Sequence, residues 1–151
     1  MKLAEALVLR ADLSKRLEQL KARLQRNAKV QEGDQPAEAP GDLISEYESV
    51  VARFGQLVAQ INLTNAATAF DGSTLTEALA QRDTLKLRQA LYRDLAQSAT
   101  MTETARTRSE VRFRATLPVA ATQKHADDLS KELRTLDMRI QKENWQIDLK
   151  P

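Results

Sequence analysis

From Leu43 to Thr68 one stretch constrains this chain more than any other. Leu43, Tyr47, Val50, Phe54, Leu57, Ile61, Thr64 and Thr68 recur at alternating steps of four and three. That spacing is the period of a helix with one face turned to a partner helix. A second row, Ile44, Val51, Val58 and Asn65, runs beside the first. Three apolar positions per heptad make a face that can touch two neighbours, whereas a two-stranded coil needs only a narrow stripe. The stretch therefore predicts a helix central in a bundle.

The remaining elements follow from the same reading. Leu3, Ala6, Leu13, Leu17, Leu20 and Leu24 predict a helix over about 2–29, with Arg10 and Asn27 in the seam register. Gly33, Pro36, Pro40 and Gly41 mark the loop that reverses the chain before a second helix over about 42–68. Asp71-Gly72 is a turn signal. Thr74 and Glu77 have the spacing of a capping box and open a third helix over about 75–98. Its apolar side is read as Leu75, Ala78, Leu79, Leu85, Leu91, Tyr92 and Leu95, with Arg82 inside that side. Val111, Phe113 and Ala115 alternate with Arg112, Arg114 and Thr116, which predicts a short strand over about 109–117. A lone strand needs a partner for its backbone groups, within the chain or in another copy. Pro118 suits the first turn of a fourth helix over about 118–145, with Val119, Ala126, Leu129, Leu133, Leu136 and Ile140 on its apolar side. The expected fold is all-α: an antiparallel four-helix bundle of two long helical hairpins, one domain over 1–151, with a short β element before the last helix. The wide second face and the lone strand both predict a homo-oligomer, with a closed ring as one form.

Composition narrows the function classes. Ala, Leu, Glu, Gln, Lys and Arg dominate, and all are good helix formers. Aromatic residues make up only 4% of the chain, so helix–helix packing is favoured over a thick globular core. With no cysteine, disulfides and thiolate metal sites are excluded. No apolar run reaches the roughly 18 residues of a spanning helix, and the first residues lack an apolar leader core. The expectation is a cytoplasmic protein without a membrane partner.

No catalytic constellation is present. His125 is the sole histidine, with no nucleophile motif beside it, and there is no phosphate-binding glycine loop. No cofactor and no metal site are expected. The polar residues that stand out are Arg10 and Asn27 at seam positions, Asn62 and Asn65 near the end of the second helix, and Arg82 in the third. Each has an architectural reading: a long stem reaching solvent, a cap, or a cross-seam ion pair. Together they have a ligand-binding reading, because asparagine both donates and accepts while arginine offers a bidentate fork to an anion. Eight lysines and arginines stand against four carboxylates between Arg82 and Arg114, so Arg112 joins the set. Arg106, Arg108, Arg112 and Arg114 would share one strand face, either solvated or anion-binding. Interleaved aromatics are missing from that face, and this argues against nucleic acid.

Several polar blocks resemble one small bacterial family. They are Met1 to Leu7, Arg10 to Leu13, Arg26 to Asp34, Ile61-Asn62, Thr64-Asn65, Leu75 to Leu79, Arg82-Asp83 and Asn144-Trp145. The family carries the label septicolysin. The resemblance implies a helical, self-associating protein with no established reaction. The label suggests a pore former, but the residues show neither an apolar span nor alternating membrane strands. Two functional expectations follow. One is a non-enzymatic oligomer whose Arg/Asn-lined pocket binds a small anionic metabolite, such as a nucleotide. The other is a purely structural or interaction oligomer whose polar seam residues set helix register.

Overall fold

The computed structural model describes residues 1–100 and 113–151. The fold is all-α, with helices α1 (Leu3–Asn27), α2 (Pro40–Ala67), α3 (Leu75–Thr100) and α4 (Val119–Gln146). Two short strands, β1 (Ala69–Phe70) and β2 (Ser73–Thr74), pair with each other ahead of α3. They are the β element that precedes the last helix among the described residues. Of the strand expected over about 109–117, residues 109–112 lie outside the described residues, and 113–117 carry no strand. By internal packing the chain forms two compact units, Met1–Ala69 with Lys142–Pro151, and Phe70–Gln141.

In the first unit α1 and α2 run antiparallel. Arg16 of α1 binds Glu46 of α2, and Arg23, further along α1, binds Glu38 just before α2 begins. The apolar row of α2 turns inward as its spacing requires, and Leu43, Leu57, Ile61 and Thr64 are buried. Leu3, Ala6, Leu13 and Leu20 of α1 are buried as well. Each fully buried leucine or isoleucine here contributes roughly 1.5–3 kcal/mol. Asn27 ends α1. Its Nδ2 donates to the Arg23 carbonyl at 2.9 Å, and its Oδ1 accepts from the Glu38 amide at 3.1 Å. One side chain thus stops the helix and ties down the loop that leads to α2. Pro40, which has no N–H to lose, starts that helix.

The tail after α4 closes the far end of this unit. The Leu3 amide donates to the Ile147 carbonyl and the Leu149 amide to the Met1 carbonyl, both at 2.9 Å, around an antiparallel bridge of Lys2 with Asp148. The Lys150 amide then donates to Thr64 Oγ1 at 3.0 Å. Thr64 is fully buried, and its hydroxyl donates to the Gln60 carbonyl at 2.7 Å. The polar atom that breaks the apolar row of α2 is therefore satisfied on both sides.

In the second unit a two-residue turn joins β1 to β2. Asp71 and Gly72 both take positive φ, 49° and 80°, the geometry of a tight hairpin turn and the reason for an Asp-Gly pair. The capping box forms as its spacing predicts. The Thr74 amide donates to Glu77 Oε2 at 2.9 Å, and the Glu77 amide donates to Thr74 Oγ1 at 3.3 Å. α3 and α4 are antiparallel: Arg82 faces Asp137 at 3.8 Å, and Tyr92 meets His125 edge-to-face with ring centres 4.2 Å apart. Arg139 of α4 binds Asp71 of the turn and lies 5.3 Å from the centre of the Phe70 ring. Leu75, Ala78, Leu85 and Ala96 of α3 and Ala126, Leu129, Leu136 and Ile140 of α4 are buried.

Candidate functional site

The two units leave different apolar surface in water. At about 100° per residue, Leu87, Leu91 and Leu95 form an i, i+4, i+8 row on α3. The buried residues of α3 lie on its far side. Leu87 is 75% exposed, Leu91 55% and Leu95 37%. Leu91 and Leu95, expected on the apolar side with Leu85, instead share the helical phase of Leu87 and face away from the packed side. The same phase count puts Arg88 on one edge of the row and Asp83 with Asp94 on the other. Thr84 and Ser98 extend the row at its two ends, and both are exposed.

On α2 the second row behaves in a related way. Ile44 is 52% exposed and Val51 37%, while Val58 and Asn65 are half-buried. One row of α2 is thus consumed inside the first unit, and the other is only partly covered.

Within the first unit the predicted ligand residues are spread along the hairpin rather than gathered. Arg10 is exposed and joins no ion pair among the described residues. Asn27 is buried, with its amide committed to the end of α1. Asn62 is exposed and Asn65 half-buried near the end of α2. Because α1 and α2 are antiparallel, Asn27 sits at one end of the hairpin and Asn62 with Asn65 at the other. A 25-residue helix rising about 1.5 Å per residue separates them. Those asparagines therefore do not meet within the hairpin, because each lies near the C-terminal end of its helix and antiparallel helices put those ends apart. Arg82 belongs to the second unit. Its guanidinium binds Asp83 at 3.2 Å as well as facing Asp137, so its place inside an apolar side is explained by carboxylates. Arg112 and the stretch from Arg106 lie outside the described residues, and Arg114 is exposed.

The second unit also contains an open groove of about 450 Å³ lined in part by Asp71, Asp128, Glu132, Lys131, Arg139 and Leu136. Its three carboxylates outweigh two cations, which disfavours an anion. Arg139 is engaged by Asp71, and Lys124 Nζ holds Asp128 at 2.9 Å. Among the described residues, none of the predicted ligand residues lines it. No group of three or more metal-ligating side chains is found among the described residues, and no helix there is long and apolar enough to cross a membrane.

Three of the carboxylates that titrate below their ordinary range stand at structural junctions. The hydrogen bond from Arg23 lowers Glu38, and the hydrogen bond from Lys2 lowers Asp148. The Thr74 amide lowers Glu77, with the Ser73 and Thr74 hydroxyls adding to it. Each sits at a helix start, a loop or the closing tail. The arrangement offers apolar helix surface edged by charge.

The chain is similar to a functionally unknown conserved protein from Corynebacterium diphtheriae, 43% identical over 99% of both chains, with a TM-score of 0.95. No curated protein matches it. A family model described as a family of unknown function, DUF6847, matches residues 10–149, and the chain belongs to that family.

Proposed function

We propose that this protein works by association: it is a non-enzymatic helical protein that assembles with copies of itself and presents helix surface to its partners. The observation that carries this reading is the apolar helix surface left in water, above all the leucine row of α3. Scattered exposed leucines are ordinary on a soluble protein, but three in helical phase form a ridge. The partly covered second row of α2 points the same way. The satisfied polar residues fit the same reading: Asn27 and Thr64 fix the ends of a rod and carry no orphaned donor.

Within this reading the protein sits in the cytoplasm, and it is placed with the septicolysin-labelled proteins by the polar blocks quoted above. Binding of a small anion is a second reading. It rests on Arg10, a cation without a carboxylate partner among the described residues. Native mass spectrometry of protein purified without denaturation tests both. A defined oligomer is expected, and a monomer at every concentration overturns the assembly reading. Added mass per subunit that disappears in Arg10→Ala, with the oligomer intact, would establish the second reading.

A further inference from the structure

We infer that the leucine row of α3 is an interface to a second copy of this chain, and that the two α3 helices lie parallel across a two-fold axis. The inference rests on the self-association proposed above and adds to it the face, the partner and the orientation.

Charge placement selects the occupant. The row Leu87–Leu91–Leu95 has a basic edge, Arg88, and an acidic edge, Asp83 and Asp94. A two-fold axis running along the helices brings the basic edge of one copy to the acidic edge of the other, twice. Arg88 then approaches the partner's Asp83 from a position five residues on, which is the offset at which edge charges meet in parallel helix pairs. A two-fold axis perpendicular to the helices would set like edges together, Arg88 beside Arg88 and carboxylates beside carboxylates, which is unfavourable.

The edge groups are equipped for this. Arg88 is exposed and makes no ion pair among the described residues. Asp83 is held within its own chain by Arg82 and Lys86, and Asp94 by Arg93, in every case through Oδ1. The second oxygen of each carboxylate remains to accept from a partner guanidinium. Nothing on the packed side of α3 has to move, since the buried residues of that helix lie away from the row.

Because the chain has no cysteine, single-cysteine variants report contacts cleanly. Thr84→Cys and Ser98→Cys each place one thiol at an end of the row. With a short bismaleimide, each variant alone is expected to give a covalent dimer. Cross-linking only between Thr84→Cys and Ser98→Cys in a mixture would mean antiparallel helices and overturn the inference. By sedimentation equilibrium, Leu91→Glu is expected to weaken the assembly at least tenfold with helical content unchanged. Arg88→Asp is expected to weaken it severalfold, and adding Asp83→Arg with Asp94→Arg in the same chain should recover it. An oligomer indifferent to Leu91→Glu overturns this interface and leaves self-association standing through another face. A wild-type monomer at all concentrations overturns both. If Leu91→Glu lowers helical content, Leu87→Gln serves as the second variant with the same expected outcomes.

Discussion

The apolar row of α2 and the leucine row of α3 look alike as sequence and differ completely as structure. Both place aliphatic side chains at helical spacing along a rod of similar length. The α2 row has α1 against it, and Leu57, Ile61 and Thr64 are buried. The α3 row faces solvent. What separates them is phase relative to a partner helix. Charge also distinguishes them: Glu46 beside the α2 row is taken up by Arg16 of α1, whereas Arg88 beside the α3 row meets no carboxylate among the described residues. One row builds the monomer, and the other is the row proposed above as an interface between copies.

That contrast is broken most severely at Ile61. Ile61→Ala should cost about 2–5 kcal/mol of unfolding free energy, because it deletes buried methylenes and leaves a cavity. A urea titration followed by helical circular dichroism measures it. A cost below 1 kcal/mol would mean that the α2 row is no better buried than the α3 row, and the comparison would fail.

Thr64 comes next. Thr64→Val keeps the shape but removes the oxygen that accepts from the Lys150 amide. Stranding that donor should cost about 1–3 kcal/mol if the site stays closed. If the tail instead peels away, the amides of Leu3, Leu149 and Lys150 should lose hydrogen-exchange protection together, since Leu3 and Leu149 bond across the same bridge. Asn27→Ala should cost about 1 kcal/mol, as lost caps do. Its signature is faster exchange at Glu38, the amide that Asn27 Oδ1 holds.

Much of this was legible in the residues beforehand, and the reasons are local. The four helices follow from period, and some of their ends from chemistry that acts over three or four residues: Thr74 with Glu77 opening α3, Asp71-Gly72 turning the hairpin. Pro40, read as part of the loop, instead starts α2. What the pattern did not reveal depends on distance along the rod or on which side a wide face is used. Asn27 and Asn65 both stand near the end of a helix, yet they lie at opposite ends of the α1–α2 hairpin. Leu91 and Leu95 are as apolar as Leu85, yet only Leu85 is turned inward. Of the two readings of Asn27, its hydrogen bonds match the cap, as its place before a glycine- and proline-bearing loop suits.

Acid should act on the closing contacts before the apolar rows. The carboxyls of Glu77, Glu38 and Asp148 titrate below their ordinary range when folded, each held in the charged form by a donor. A carboxyl whose folded value is depressed contributes stability above its unfolded value and loses it as pH falls through the folded one. Stability should therefore hold from neutral pH down to the usual carboxylate range and fall below it. Glu77→Gln removes one titrating partner, so its stability should change less steeply with pH over that acid limb than the parent's. An identical acid limb in thermal melts would show that the Thr74–Glu77 box contributes no pH dependence.

The smallest expected effect is the sharpest test of the comparison. Leu91→Ala removes a side chain chemically like Ile61's from a helix of similar length, but from a position that is already more than half exposed. Unfolding measured at concentrations where the chain is monomeric should therefore change by no more than about 0.5 kcal/mol, the range of surface substitutions. Alanine's better helix propensity offsets part of even that loss. At concentrations where copies associate, the same substitution should lower apparent stability, because assembly stabilises the folded chain by mass action and a weaker interface lends less of it. The gap between parent and variant should then widen with protein concentration. A large, concentration-independent loss would mean that Leu91 is packed inside its own chain, and the α3 row would then belong with the α2 row as core.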